Sequence, residues 1–366
     1  MPSTLPSDPV NARILAISED RIAGFEREPF VAIAEQSGVP LETVLERITA
    51  MLRAGTIRRV RQTLIATNLA DGALVAWKLP EEKLQAAFDF VLKNDPFTGH
   101  VVTRSAEAGA HGGDYRLWTT LKVPAGTSTG AHCEILRSHI GAERFELMPA
   151  LGVFALGVGH TRRLRVEPGD KTPHRAVMVR PKIVALSDLE WRVLLSLKRE
   201  FTPEEIAPNP WKARALEAGV SLGTFFEVAQ SLADRHVIGR FSTFLEHVKP
   251  AEATGEAVSS FNGLFHWAVP AGREEEAGGE IGRHEILTHC YWRNGGPTFG
   301  NVNIMAVAHG SERERVLAHK AAIDNHLAQC GIPVSYSAVF WGCRSEIRPS
   351  EVSPREYREW LERMGK

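Results

Sequence analysis

The residues best suited to chemistry fall in one short run, Ile286-Leu-Thr-His-Cys-Tyr-Trp-Arg293, with an earlier echo at Phe97-Thr-Gly-His-Val-Val-Thr-Arg104. Both contain His-x-x-x-Arg. β-Branched and aromatic residues dominate both runs and no helical stripe is present, so both are predicted strands. Successive side chains on a strand point to opposite faces. His289, Tyr291 and Arg293 therefore share one face, as do His100, Val102 and Arg104 in the echo. A titratable imidazole beside a permanent cation suits an acidic ligand that must be held and given a proton. A strand edge facing water would use the same residue types for solubility alone; it is the recurrence of the pattern that points to a site. Cys290 falls on the opposite face and is expected in the core rather than as a nucleophile.

The recurrence belongs to a longer internal repeat. Leu74-Val-Ala-Trp-Lys-Leu-Pro80 answers Leu264-Phe-His-Trp-Ala-Val-Pro270, and Ile57-Arg-Arg59 answers Ile238-Gly-Arg240. Val153-Phe154 answers Val339-Phe340. The sequence reads as two copies of one unit of roughly 165–180 residues. Its 366 residues, 43% hydrophobic, suffice for more than one core. A formal net charge of −1 provides no global field toward nucleic acid or an anionic membrane. No apolar run approaches the ~20 residues of a membrane span, and the N-terminal stretch lacks the basic region and apolar core of a secretory signal. Cys133, Cys290, Cys330 and Cys343 show neither a CxxC pair nor zinc-type spacing. Reduced thiols and a cytoplasmic location are expected.

Residues 9–66 read as a winged helix-turn-helix. Helices are predicted over Asn11–Glu19 and Phe30–Gln36. A third follows Pro40 with the apolar stripe Leu41, Val44, Leu45, Ile48 and Leu52, and then a wing. This part resembles the Lrp/AsnC regulators. Glu42, Thr43 and Glu46, however, occupy the exposed early turns of the third helix, where duplex recognition needs basic and amide groups. Arg58, Arg59 and Arg61 form the nearby basic cluster. Residues 67–158 follow the β-α-β-β-α-β order of a ferredoxin-like domain, and residues 159–186, rich in Arg, Pro, Gly and Lys, form a linker. Residues 187–248 repeat the winged helix in degenerate form, with Pro203, Pro208 and Pro210 expected to break its second helix. A polar loop follows at 251–259. Residues 260–348 repeat the ferredoxin-like order, and 349–366 form a C-terminal helix. The fold class is α+β: a tandem repeat of winged helix-turn-helix followed by a ferredoxin-like domain.

The paired units, the L-x-x-W-x-x-P strand and the H-x-Y-x-R strand resemble those of the sirohaem decarboxylase family, itself related to Lrp/AsnC proteins. The family's two subunits here look fused in one chain. The second half matches better, since Val102 stands where the motif has tyrosine. The resemblance implies a carboxy-lyase that removes CO2 from the acetate side chains of sirohaem, giving didecarboxysirohaem in alternative haem or haem d1 biosynthesis. No cofactor beyond the iron tetrapyrrole is implied. His289 would be the proton donor, helped by Tyr291, or else an axial ligand to the substrate iron; His100 is its counterpart in the first half. The arginines that could grip substrate carboxylates are Arg293, Arg240, Arg58, Arg59, Arg61 and Arg104. Trp267, Trp292, Trp77 and Trp341 are the candidates for a wall against the macrocycle. The expected partner is sirohaem or a related tetrapyrrole, with no membrane or nucleic acid, bound by a fused pseudo-heterodimer that is monomeric or dimeric. The competing readings are a ligand-sensing regulator of the Lrp/AsnC type and a tetrapyrrole-binding protein without turnover.

Overall fold

The computed structural model describes residues 2–65, 68–156, 165–246 and 261–366, which form two compact units. The polar loop expected at 251–259 and the first residues of the expected linker lie outside the described residues. The first half runs α1 (Pro9–Ser18), β1 (Ile22–Ala23), α2 (Pro29–Ser37), α3 (Leu41–Arg53) and β2 (Ile57–Leu64). It continues with β3 (Ala70–Lys78), α4 (Glu81–Asn94), β4 (Thr98–Ala106), β5 (Tyr115–Pro124), α5 (Thr129–Ile140), β6 (Arg144–Pro149) and β7 (Gly152–Leu156). The second half runs α6 (Asp188–Leu197), α7 (Trp211–Glu217), α8 (Leu222–Asp234) and β8 (Ile238–Leu245). There follow β9 (Phe261–Ala268), α9 (Glu274–Gly282), β10 (Leu287–Trp292), β11 (Ile304–Gly310), α10 (Arg313–Gln329), β12 (Tyr336–Ile347) and α11 (Pro354–Arg363).

The first unit gathers both winged helices. Their wings pair in one antiparallel sheet of order β1-β8-β2, with Val60 opposite Thr243. One expectation fails here. The prolines do not abolish the second helix of the second copy, because Pro210 sits at the N-cap of α7. A helix start has no use for the N–H that proline lacks, so these prolines precede the helix instead of interrupting it. Trp211 then anchors α7: it is buried and its indole N–H donates to the Glu26 carbonyl at 2.9 Å.

The second unit is built on a nine-stranded sheet of order β6-β3-β5-β4-β12-β9-β11-β10-β7. Each half contributes four strands in ferredoxin-like order, and β12 joins the halves. Its Tyr336–Trp341 stretch pairs with β9, while Phe340–Ile347 pairs with β4 across a bulge between Gly342 and Ser345. A bulge bends and twists a strand, which lets one strand serve two sheets. The other junction is equally economical. The last strand of the first ferredoxin-like domain is two strands, β6 and β7, separated by Ala150 and Leu151. The Ala150 N–H bonds Gly72 of the first half at 3.3 Å, and the Leu151 N–H bonds Trp292 of the second at 2.9 Å. Because β6 and β7 stand at opposite ends of the strand order yet are only Ala150 and Leu151 apart in the chain, the two edges of the sheet are brought together there. The helices cover its outer face in two cores, and a third cluster drawn from both halves lies on the inner face.

The described part of the expected linker is not free. Val179 bridges to Val153, the Thr172 N–H bonds the Arg283 carbonyl at 2.9 Å, and the Ala176 N–H bonds that of Gly279 at 3.0 Å. At the C-terminus, α11 docks on the first outer core through Tyr357 and Trp360. Trp360 stacks on His132 at 4.2 Å, and its indole donates to the Asn94 carbonyl at 2.9 Å. Trp360→Ala is expected to cost about 3–5 kcal/mol, the usual range for emptying a buried tryptophan site. Denaturant unfolding measures this; a cost below about 1 kcal/mol would mean that α11 is not part of the core.

Candidate functional site

Strand β10 is held on both sides, by β11 and by β7, and its register slips on each: between Leu287 and His289 against β11, and between Cys290 and Tyr291 against β7. Such bulges re-aim side chains. What they aim here is the row His289, Tyr291, Arg293. The imidazole and phenol rings stack at 6.0 Å with an interplanar angle of 17°. The Arg293 guanidinium carbon lies 4.5 Å from the Tyr291 ring centroid, and its NH1 donates to the Met148 carbonyl at 2.6 Å. His289 Nδ1 is 3.0 Å from Thr288 Oγ1, which fixes the ring. Burial pushes the Tyr291 phenol up and the Arg293 guanidinium down from their ordinary values. The row thus sets an orientable imidazole beside a poorly solvated cation, where a carboxylate is attracted far more strongly than in water. Cys290 points the other way into an outer core, and burial pushes its thiol up, as a core residue requires.

Cross-strand pairing decides which residues share the row's face. Tyr291 pairs with Met305, Met305 with His266, and His266 with Ala338. Paired residues project to the same side, so these four form one line across the inner face. Around it cluster Tyr115, Trp118, Phe299 and Phe340. His266 is fully buried among them, with ring contacts to Trp118, Phe299 and Phe340. Neither of its ring nitrogens has a hydrogen-bond partner among the described residues.

The echo on β4 occupies the same face with different partners. His100 Nε2 lies 2.8 Å from Ser345 Oγ. Val102 packs in the inner cluster. Arg104 is buried and donates to the Phe340 carbonyl at 3.2 Å and to Asn262 Oδ1 at 3.3 Å, binding β4 to β12 and β9; burial brings it down to about 10. The first copy has become a structural joint where the second keeps a stacked row.

The tryptophans require correction. Trp77 lies in the first outer core with its indole bonded to Thr119 Oγ1 at 3.0 Å, and Trp267 in the second, bonded to Asp324 Oδ1 at 2.6 Å. Trp341 is in that second core, under the Arg313 guanidinium at 4.8 Å. Trp292 packs against it from the same side, with Arg180 over its ring at 5.6 Å. All four face the helices, on the opposite side of the sheet from His289. Strand parity could have separated them: Trp292 is one residue from Tyr291, and Trp267 one from His266. Trp118, Phe299 and Phe340 supply the aromatic wall of the inner face instead, Phe299 from the short 3-10 turn Pro297–Phe299.

Arg58, Arg59, Arg61 and Arg240 lie in the first unit, on the paired wings β2 and β8. Arg59 is buried and ion-paired with Glu200 at 3.3 Å; burial first, and then repulsion from Arg58, bring it down to about 10. Arg61 lies over the Phe244 ring at 5.4 Å, and Arg240 donates to the Glu19 carbonyl at 3.4 Å. Burial lowers the pKa of both. Sequence reasoning grouped these four with the histidine rows; the structure brings them together with one another, in a different unit.

With this geometry in hand, the chain's likeness to known proteins is specific. The AsnC-like ligand binding domain family matches residues 69–154 and again 259–337. A siroheme decarboxylase from Hydrogenobacter thermophilus is 25% identical over 296 residues, 79% of this chain and 80% of that protein. The crystal structure of the siroheme decarboxylase NirDL matches with a TM-score of 0.67 at 20% identity, covering 96% of this chain and 97% of that one. Its complex with an iron-uroporphyrin III analogue matches at 0.66 and 20% identity, covering 97% and 99%. Fold and repeats define a tandem AsnC-like protein with two ligand-binding domains on one polypeptide. Within that class the chain is similar to siroheme decarboxylases in sequence and in fold. No helix among the described residues is long and apolar enough to cross a membrane.

The buried imidazole of His266 gives a direct test of the inner face. Burial first, and then the Arg104 and Lys320 charges, push it down to about 3 from an ordinary 6.5. The unfolded chain therefore takes up a proton that the folded chain refuses, and stability falls as pH drops below 6.5 toward the folded value. His266→Gln removes this titration. Between pH 6.5 and 5 the parent chain is expected to lose about 2 kcal/mol more than the variant in urea unfolding. Equal losses would show that His266 is solvated.

Proposed function

We propose that this protein is a carboxy-lyase that converts sirohaem to didecarboxysirohaem, with the His289–Tyr291–Arg293 row as its working site. The observation that carries this reading is the row itself: an imidazole, a phenol and a guanidinium stacked in sequence on one partly buried strand face. Relatives named as siroheme decarboxylases, one solved with an iron-uroporphyrin analogue, support the choice of substrate. The alternative roles of regulator and inert carrier have no comparable arrangement in their favour.

The chemistry asks little of the protein beyond placement. At each acetate arm the bond between the methylene carbon and the carboxylate breaks, and CO2 leaves. The electron pair stays on the methylene carbon, which takes one proton to become methyl. No oxidant or reductant enters the balance, and no cofactor besides the tetrapyrrole is proposed. Arg293 holds an acid arm of the substrate through its charge and remaining N–H donors. A desolvated carboxylate is raised in energy relative to neutral CO2. His289, half-buried and so within reach of solvent protons, delivers the proton, and the Tyr291 ring keeps the imidazole aligned. An imidazole at this position could instead bind the substrate iron.

Both points are testable with the purified chain and sirohaem under anaerobic conditions, weighing the products by mass spectrometry. The expected product has lost two CO2. His289→Ala is expected to slow turnover by ~10²–10⁴-fold, the range for general acid catalysis, while His100→Ala stays within a few-fold of the parent. If His289 is the proton donor, the absorption spectrum of the bound pigment is the same in parent and variant; an altered spectrum assigns it to the iron. An unchanged substrate mass with pigment bound would overturn the decarboxylase reading, and equal losses from both variants would overturn the assignment of the row to the second half.

A further inference from the structure

On the outer face of the sheet, the helix layer of the second half holds a group of donor side chains that the proposed reaction does not use. Glu280 lies in the last turn of α9, and His284 follows four positions later, just past its end. His326 lies in the last turn of α10, and Cys330 is its C-cap, again four positions on. Residues four apart on a helix share a face, so each helix end offers a pair. His326 Nε2 is 2.7 Å from Glu280 Oε2, and Cys330 Sγ is 3.7 Å from the same nitrogen. One ligand atom from each of these three residues lies within 4.8 Å of the others. The His284 ring adjoins, its centroid 5.3 Å from that of His326. That residue is only 3% exposed, and its Nε2 has no hydrogen-bond partner among the described residues.

We propose that Glu280, His326, Cys330 and His284 form a binding site for one zinc-class divalent metal ion, independent of the iron in the substrate. A carboxylate, a thiolate and two imidazoles are the donor set that Zn2+ takes in four-coordinate sites. Hard ions such as Ca2+ and Mg2+ would want an all-oxygen cage instead. Two helix C-termini converge here, and their partial negative charge favours a cation. Cysteine spacing gave no hint of the site, because its donors come in pairs from two helices far apart in sequence.

Three side-chain cations already answer that negative charge. Arg175 and Arg283 bond the Glu280 carboxylate, Arg283 NH1 at 3.1 Å from Oε2. The Lys171 ammonium donates to His326 Nδ1 at 2.9 Å. The arginines use lone pairs that a carboxylate can share with a metal and serve to orient it. Lys171 is the competitor. Once Nε2 binds metal, the imidazole proton resides on Nδ1, where the ammonium now sits. Lys171 is exposed and can turn away. Uptake also expels the thiol proton, so affinity rises with pH.

The experiment titrates the full-length chain, stripped with a chelator, with Co2+ as a coloured stand-in, and then displaces the Co2+ with Zn2+. The expected result is saturation at one equivalent with a thiolate-to-cobalt absorption band. Cys330→Ser abolishes the band and weakens binding by at least about tenfold, and His284→Ala also weakens it by about tenfold or more. Lys171→Met, a change at an exposed residue that leaves the fold intact, tightens binding. Absence of saturable uptake overturns the proposal. So does uptake indifferent to Cys330→Ser, which would mark the ion as adventitious, or to Lys171→Met, which would place it elsewhere.

Discussion

Alternation of side chains along strands, in a sheet whose two edges are brought together, governs everything this protein can do. That arrangement gives the sheet an inside and an outside. The outside is sealed by helices and takes Trp77, Trp267, Trp292 and Trp341. Whatever shares parity with Tyr291 is turned inward, toward a surface lined by Trp118, Phe299 and Phe340. A one-residue slip of β10 would turn Thr288, Cys290 and Trp292 inward in place of His289, Tyr291 and Arg293, sending the polar row into an apolar core. The bulges flanking His289 and Tyr291 therefore do more than kink a strand: they are where the register that selects the site is set.

The two halves have drifted apart along that same constraint. Their folds remain closely parallel, yet the side chains on the inner face have different occupations. In the first half Val102 fills space, Arg104 is bonded to Phe340 and Asn262, and His100 meets Ser345. In the second, Arg293 lies over a phenol that itself stacks on an imidazole. A duplicated domain can give one copy to holding the sheet together and leave the other for chemistry. The winged helices show a related drift. Their fold persists, but Glu42 and Glu46 stand exposed on α3, where a duplex-binding protein would present cations.

Much of this was legible in the sequence because it is periodic. The repeat, the ferredoxin-like element order, the shared face of His289, Tyr291 and Arg293 and the opposite placement of Cys290 all follow from counting. What counting could not reach depends on the meeting of the sheet's edges and on contacts between distant segments. Nothing in residues 145–158 announces that the chain changes neighbours at Ala150, leaving one half's strand for the other's. Trp77 and Trp267 sit in conspicuous motifs, yet their conspicuousness reflects core packing against Thr119 and Asp324. Pro210 reads as a helix breaker and acts as a helix start. The wing arginines belong to one unit and the histidine rows to the other.

In the proposed reaction the tetrapyrrole is received by the inner face of the sheet and not by its helix-covered face. Adjacent residues on β10 test it most directly, since Arg293 and Trp292 differ by one position and by which side they face. Binding of an iron tetrapyrrole can be titrated by absorbance for Arg293→Met and Trp292→Phe. The account gives a loss of about tenfold or more in affinity for Arg293→Met, as expected when one charge-assisted contact is removed, and an unchanged affinity for Trp292→Phe. The reverse pattern would contradict it.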